Sequence, residues 1–327
     1  DKRVTCFHQD KKGFMWIGTR NGLNRFDGQS FKVFRPGPGA SITSEVINDI
    51  EEDSKGRLWI GTMEGLNIYD PATGKWEVMV PNPDVRGKAL PNYIIWDIWI
   101  APGDIAWIVC DVFELVRYDI AKKEFTFYDW PAFARKHPAM QKTRYHSILR
   151  LVPGDADQFW LATNNGLVNL DTRTRTFTFA GGNYYGDVIG LERDAASGQV
   201  FLTTESGELF RYDEKTKQYG PFTTEPLPYP STRLQRPGPN EIWMASRPGL
   251  VRISGDRQKA LLETNLPQLS GSLLPGGVTA VYTDHEGLRW AGTANGVCIY
   301  DLQHSASAFL PLMVASDKEG MNRISGV

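Results

Sequence analysis

Apolar and polar residues alternate along most of this chain in short runs, the period of half-buried strands, broken at Gly, Asp and Asn. Residues 46–80 show the unit. VINDIEED (46–53) alternates, SKG (54–56) is a turn, and RLWIGT (57–62) reads as a second strand. After the turn at MEG, LNIYD (66–70) is a third strand, PATGK (71–75) another turn, and WEVMV (76–80) a fourth. Short strands joined by tight turns make an antiparallel meander.

The unit repeats. Aligned on one aromatic position, the anchors are Trp16, Trp59, Trp107, Trp160, Phe201, Trp243 and Trp290, separated by 43, 48, 53, 41, 42 and 47 residues. Six residues after the anchor stands Gly22, Gly65, Gly166, Gly207, Gly249 or Gly296, with Phe113 in the third copy instead. Asp27, Asp70, Asp119, Asp171, Asp213 and Asp301 close most copies. One four-stranded sheet cannot bury both faces by itself, whereas sheets stacked radially can. Seven copies without atypical polar caps favour a closed ring over an open solenoid. The sequence therefore predicts an all-β fold, a seven-bladed β-propeller of four-stranded antiparallel blades. The blades fall at about 4–35, 46–80, 93–129, 146–181, 188–222, 231–265 and 277–313. The anchors should fill the space between blades. An extra Glu after the turn in copies three and five, Glu114 and Glu208, suggests a local bulge. The tail 314–327 reads as a linker and the start of an eighth repeat, since SDKEGMNRISGV matches SITSEVINDI (41–50); a second propeller is expected to follow.

Composition narrows the functional classes. Thirty-six basic and 38 acidic residues give a net charge of −2, and no Lys/Arg run marks a nucleic-acid face. No run of eighteen apolar residues spans a membrane. Asp1 is not an initiator Met, so a trimmed or mature chain is expected, any targeting segment having been removed. Cys6, Cys110 and Cys298 are odd in number and far apart, which argues against zinc and a disulfide framework. A Cys6–Cys298 bridge between neighbouring blades is one reading; small buried strand residues is the other.

The segments DKKGFMWIGTRNGLNRFD (10–27), DSKGRLWIGTMEGLNIYD (53–70) and DHEGLRWAGTANGVCIYD (284–301) closely resemble the two-component regulator propeller repeat. The resemblance covers nearly the whole chain and is strongest in copies one, two, four and seven. That repeat occurs in periplasmic sensor regions of Bacteroidetes hybrid two-component histidine kinases. There, two propellers precede an Ig-like domain, a membrane helix and the kinase. The resemblance implies a periplasmic, N-terminal sensing propeller that detects glycan fragments and controls polysaccharide-utilisation genes. It implies as partners an oligosaccharide, the second propeller of the same chain and, in the full-length sensor, a second copy. Nucleic acid is not expected to bind this part, and the membrane is reached only through other segments. The G-x-x-W turns also resemble the Asp-box turns of sialidase-type propellers, which are structural.

Binding residues sit most often on loops held by a rigid scaffold. The loops joining second to third strands, and outer strands to the next blade, share one face. The candidates there are Arg20, Asn92, Tyr93, Asp111, Arg144, Tyr145, His146, Asn164, Tyr184, Tyr185, Asp187, Arg233 and Arg247. Tyrosine faces stack on sugar rings, while Asn, Asp and Arg bond hydroxyls or pair with a uronate or sulfate. The clusters 144–146 and 184–187 stand out because each packs aromatic and polar groups into one loop. The long insert 129–146 is expected to hold a short helix and to reach toward that face. Polar residues on such loops are also what any solvated propeller face carries.

Enzyme readings find little support. No HxxxH or HExxH pair exists among His8, His137, His146, His285 and His304, and no GxSxG elbow occurs. No metal, cofactor or catalytic residue is expected. Asp111 and Glu205 are the carboxylates that a glycosidase or lyase would have to bring together. Asp53 and Asp284 should bond turn backbone. The alternatives to a sensor are a propeller polysaccharide lyase or hydrolase, and a protein-interaction scaffold.

Overall fold

Three side chains of the repeat explain its local folding. The Asp of D-x-x-G-x-x-W takes two turn N–H groups and the indole N–H of the anchor. Asp10 accepts from Lys12 N, Phe14 N and Trp16 Nε1 at 3.0, 2.9 and 2.7 Å. Asp53 does the same with Lys55 N, Arg57 N and Trp59 Nε1, and Asp284 with Leu288 N and Trp290 Nε1. The Thr of W-I-G-T closes the next turn: Thr19, Thr62, Thr163 and Thr293 donate to the carbonyls of Gly22, Gly65, Gly166 and Gly296. Gly22, Gly65 and Gly166 there have φ near +104°, +120° and +118°, which a side chain would resist. The closing Asp is an Asx turn for the third and fourth strands, Asp171 and Asp213 accepting from Thr174 N and Thr216 N.

The computed structural model describes residues 3–38, 41–82, 89–111, 114–137, 147–180, 186–223, 227, 233–238, 241–246, 249–254, 260–263, 277–294, 296–301, 306–311 and 322–323. They form seven antiparallel sheets, a seven-bladed β-propeller. Strands run from the axis outward in chain order. Blade one is Val4–Gln9, Met15–Thr19, Gly22–Phe26 and Ser30–Phe34; blade two is Ile47–Glu52, Leu58–Thr62, Gly65–Asp70 and Lys75–Met79. Blade three is Ile95–Ala101, Ile105–Cys110, Glu114–Asp119 and Glu124–Tyr128. Blade four is Ile148–Pro153, Gln158–Thr163, Gly166–Asp171 and Thr176–Phe179; blade five is Val188–Asp194, Gln199–Thr204, Leu209–Asp213 and Gln218–Pro221. Blade six is Leu234–Gly238, Glu241–Ser246, Gly249–Ser254 and Ala260–Glu263; blade seven is Val278–Thr283, Arg289–Thr293, Gly296–Asp301 and Ala306–Pro311. Each innermost strand packs against the next, and Val4–Gln9 against Val278–Thr283 closes the ring. A two-residue strand, Asn322–Arg323, adds to the outer edge of blade one opposite Phe31 and Ser30.

The core lies between blades. Trp16, Trp59 and Phe201 are fully buried, each among residues of its own blade and the next. All three cysteines are buried and free. The 129–146 insert begins with a helix, Trp130–Lys136, capped by the Asp129 carboxylate on Ala132 N at 2.9 Å. Its Trp130 and Phe133 pack on Phe177 of the outer strand of blade four, so the helix covers the rim of that blade.

In copy five the extra residue at Glu208 makes a glycine bulge: Thr204 O accepts from Gly207 N and Thr204 N donates to Glu208 O, both at 3.0 Å, with Gly207 at φ 88°. In copy three the extra residue at Glu114 makes no bulge and lengthens the hairpin loop instead, since Cys110 pairs with Glu114 where Thr62 pairs with Gly65. The innermost strands carry further bulges that simple alternation does not predict. The register slips between Val4 and Cys6, Ile47 and Asp49, Ile148 and Arg150, Val188 and Gly190, and Val278 and Ala280. In blade three the slip falls opposite Val109 and Cys110. These strands follow apolar-x-y-apolar, as in Ile47-Asn48-Asp49-Ile50, and not simple alternation. A bulge sets two residues against one and turns both toward the axis.

Candidate functional site

The bulge residues line the axial channel. Where x and y are polar they tie one blade to the next. Thr279 Oγ1 donates to Val4 O at 2.6 Å, Thr5 Oγ1 to Ile47 O at 2.5 Å and Asn48 Nδ2 to Ile95 O at 2.8 Å. One residue on, Asp49 accepts from Ile98 N and Asp97 from Leu151 N, both at 2.9 Å. Arg150 Nη1 pairs with Asp97, and Arg233 reaches Asn48 O at 2.9 Å and Asp49 Oδ1 at 3.8 Å. Blades two, three, four and six thus put two acids and two guanidiniums in one layer.

Below that layer the channel is a cavity of about 440 Å³ with His8, Glu51, Glu192 and Tyr282 on its wall. Burial raises Asp49 well above the ordinary carboxylate range, and the neighbouring Asp97 adds to it. Burial also raises Asp97, against the pull of Arg150. Glu51 is raised by burial and by the charges of Asp49, Asp97 and Glu52, and burial pushes Glu192 up to about 7. On the loop side the channel opens into a second cavity of about 400 Å³, bounded by Arg3, Arg20, Trp96, Arg150 and Arg233.

Of the candidate site residues, the structure brings Arg20 and Arg233 together at this mouth. Asp111 does not line it but holds Trp96, which does, accepting from Trp96 Nε1 at 3.2 Å. Tyr93, 52% exposed, lies apart, in a groove of about 650 Å³ with Ile42, Thr43 and Val80. Asn92 caps its own turn, accepting from Ile94 N at 3.2 Å, and Asn164 accepts from Ser147 N at 2.9 Å, 17 residues away in the segment before the first strand of blade four. Asp187 pairs with Glu205, and burial and that hydrogen bond raise its carboxyl. Glu205 therefore faces Asp187 within blade five, while Asp111 in blade three is held by Trp96. Arg144, Tyr145, His146, Tyr184, Tyr185 and Arg247 lie outside the described residues. Sequence reasoning missed Arg3, Trp96 and Arg150, and with them the channel acids Asp49 and Asp97. The readable signal was the apolar-x-y-apolar spacing of the first strand in each copy.

The repeat geometry matches known sequences and folds. The model for the two-component regulator propeller matches residues 1–21 and 41–64, which hold the first and second copies of the first strand and turn. Those two segments are similar to the two-component regulator propeller repeat. A stretch of 35 residues, 11% of the chain, is 54% identical to histidine kinase P4 of Formosa agariphila and covers 3% of that protein. Among solved structures it is similar to the extracellular domain of a putative hybrid two-component system from B. thetaiotaomicron (TM-score 0.73, 21% identity). That match covers 90% of this chain and 39% of the other. The extracellular domain of a putative one-component system from the same organism gives TM-score 0.73 at 21% identity, over 91% and 38% of the two chains. PorZ, a surface component of the type-IX secretion system of Porphyromonas gingivalis, gives 0.64 at 13% identity, over 98% and 39%. The chain thus spans about two-fifths of the length of the structures it matches. At these identities the structures share the fold alone.

Proposed function

We propose that this propeller is the extracytoplasmic, periplasmic sensing module of a hybrid two-component histidine kinase, binding glycan fragments at its loop face and controlling polysaccharide-utilisation genes. The observation that carries the reading is the open mouth of the channel, where Arg20, Arg233 and the exposed Trp96 come together on a ring whose first two copies are similar to the regulator propeller repeat. Exposed guanidinium and aromatic groups on a rigid scaffold suit a ligand with hydroxyls and flat ring faces. The neighbours from two-component systems support the extracytoplasmic placement. Ligand acts by favouring one packing of this ring against a second propeller or a second copy, because binding shifts an equilibrium only through differential affinity.

Ionisable groups do converge in the channel, as a lyase or hydrolase would need. Asp97, however, has one carboxylate oxygen on Arg150 and the other on Leu151 N, and Asp49 holds Ile98 N. These bonds tie blades together, and the proposed module binds without turnover. Calorimetric titration with a panel of oligosaccharides, with product analysis of each mixture, tests this. Binding with intact sugars is the expected result. Cleaved product overturns the sensor reading, and binding of no sugar removes the glycan.

A further inference from the structure

The mouth of the channel has a charge character that the chain as a whole lacks. Acidic and basic residues nearly balance over the sequence. At the mouth, Arg3, Arg20, Arg150 and Arg233 converge on one cavity of about 400 Å³, and no carboxylate lines it among the described residues. The fold builds this clustering. The inner-strand bulge of blade four carries Arg150 to the axis, and Arg233 stands at the start of the inner strand of blade six. Arg3 and Arg20 come from blade one, coupled by the bond from Arg20 N to Arg3 O at 3.0 Å.

The nearest acids are already committed. Asp97 is engaged by Arg150 and Leu151 N, Asp49 by Ile98 N and Arg233, and Asp111 by the indole of Trp96. Arg150 and Arg233 are therefore held in place from below. Arg3 and Arg20 are exposed at the rim. Trp96, 38% exposed, is fixed by its bond to Asp111 and stands on the same wall. Like charges gathered in a low-dielectric cleft focus a field on its opening and favour a ligand of opposite sign.

We propose that the mouth binds an acidic saccharide, a uronate or sulfate group meeting the arginine cluster while the sugar ring lies on Trp96. The assignment rests on the glycan reading above and adds the charge of the ligand and the residues that select it. Guanidinium groups suit both anions, because their planar donor pairs match carboxylate and sulfate oxygens.

The test is titration of the 327-residue chain with trigalacturonate, its fully methyl-esterified form, a sulfated chondroitin disaccharide and inorganic sulfate. Variants are Arg3→Gln with Arg20→Gln, and Trp96→Ala, each checked for unchanged thermal unfolding. The expected result is binding of an acidic sugar that falls about tenfold or more in the double Arg variant, corresponding to about 1.4 kcal/mol. The same binding falls with added salt and in Trp96→Ala, and the methyl ester binds at least tenfold more weakly than its acid. A methyl ester or other neutral sugar that binds as tightly as the acids overturns the charge assignment and leaves the glycan reading standing. Acid binding that no variant weakens overturns the location. Sulfate binding lost in the Arg variant, with no oligosaccharide of either kind bound, keeps the anion site and removes the glycan. Binding of none of the four probes overturns the inference.

Discussion

Gln9 accepts the backbone N–H of His285 through its side-chain carbonyl at 2.6 Å, across 276 residues of chain. The same side chain donates to Glu286 at 3.1 Å, and Gln9 N donates to the Tyr282 hydroxyl at 3.2 Å. The four main strands of blade one come from the start of the chain and those of blade seven from a later segment, and no sheet pairing joins their inner strands. The ring closes there by packing and by these side-chain bonds. Gln9 is itself 6% exposed, while its side-chain partners His285 and Glu286 lie on an exposed turn where water can replace it. Gln9→Ala should therefore cost about 1 kcal/mol in urea unfolding. A change under about 0.5 kcal/mol would show that the apolar contacts of Val4, Phe7 and Trp290 and the Thr279–Val4 bond close the ring without it.

The Gly of W-I-G-T is set by the neighbouring blade. A Cβ built on Gly61 would stand 2.9 Å from Ile95 Cγ2 and 3.3 Å from Ile95 O, and one on Gly292 2.5 Å from Val4 Cγ1. Gly61→Ala should therefore destabilise by about 1–3 kcal/mol through overpacking. Combined with Ile95→Ala it should cost less than the two single changes summed, the sign of a shared contact. Strict additivity in denaturant unfolding would contradict the close approach.

Among the described residues, five hairpins between third and fourth strands put one residue at positive φ. In blades one and two it is Gly28 and Gly74, at φ 94° and 72°; in blades three, four and five it is Lys123, Arg175 and Lys217, at φ 60°, 58° and 57°. Residues with a Cβ pay about 1–2 kcal/mol in this conformation, part of which Gly offsets through a freer unfolded chain. Lys123→Gly, Arg175→Gly and Lys217→Gly should each stabilise the ring by up to about 1 kcal/mol, and Gly74→Lys should lower stability by a similar amount. Thermal unfolding of the four variants checks the opposite signs.

The anchors made the fold legible because Trp16, Trp59 and Trp290 do several jobs at once. They fill the inter-blade core and bond the turn Asp, so substitution at any part of the motif costs stability and the motif stands out. The site was harder to read. Arg20 and Arg233 were visible as loop residues, but Arg150 and Asp97 sit inside strands that look like plain alternating ones. Only the slip in register turns them to the axis, and a slip of one residue reverses every face beyond it. Asn92 and Asn164 are engaged with backbone N–H groups, and an amide so used has the same composition signal as one that meets a ligand.

Glu192 gives the ring a pH dependence whose sign follows from its position. It lies on the channel wall, where burial raises its carboxyl from 4.5 to about 7 although Arg236 and Arg150 pull the other way. Between those values the folded ring keeps a proton that the unfolded chain has released. Stability therefore falls as pH rises through this window, is free of the penalty below about 4.5, and bears it fully above about 7. Glu51 is raised in the same direction, so the wild-type slope is shared. Glu192→Gln isolates one part of it. The variant should gain on the wild type between pH 4.5 and 7, by at most about 3 kcal/mol, since channel water screens some of the effect. Urea unfolding of both proteins at pH 4.5, 5.5, 6.5 and 7.5 measures the difference. A gap that stays constant over that range would mean Glu192 is solvated by the channel and titrates near its ordinary value.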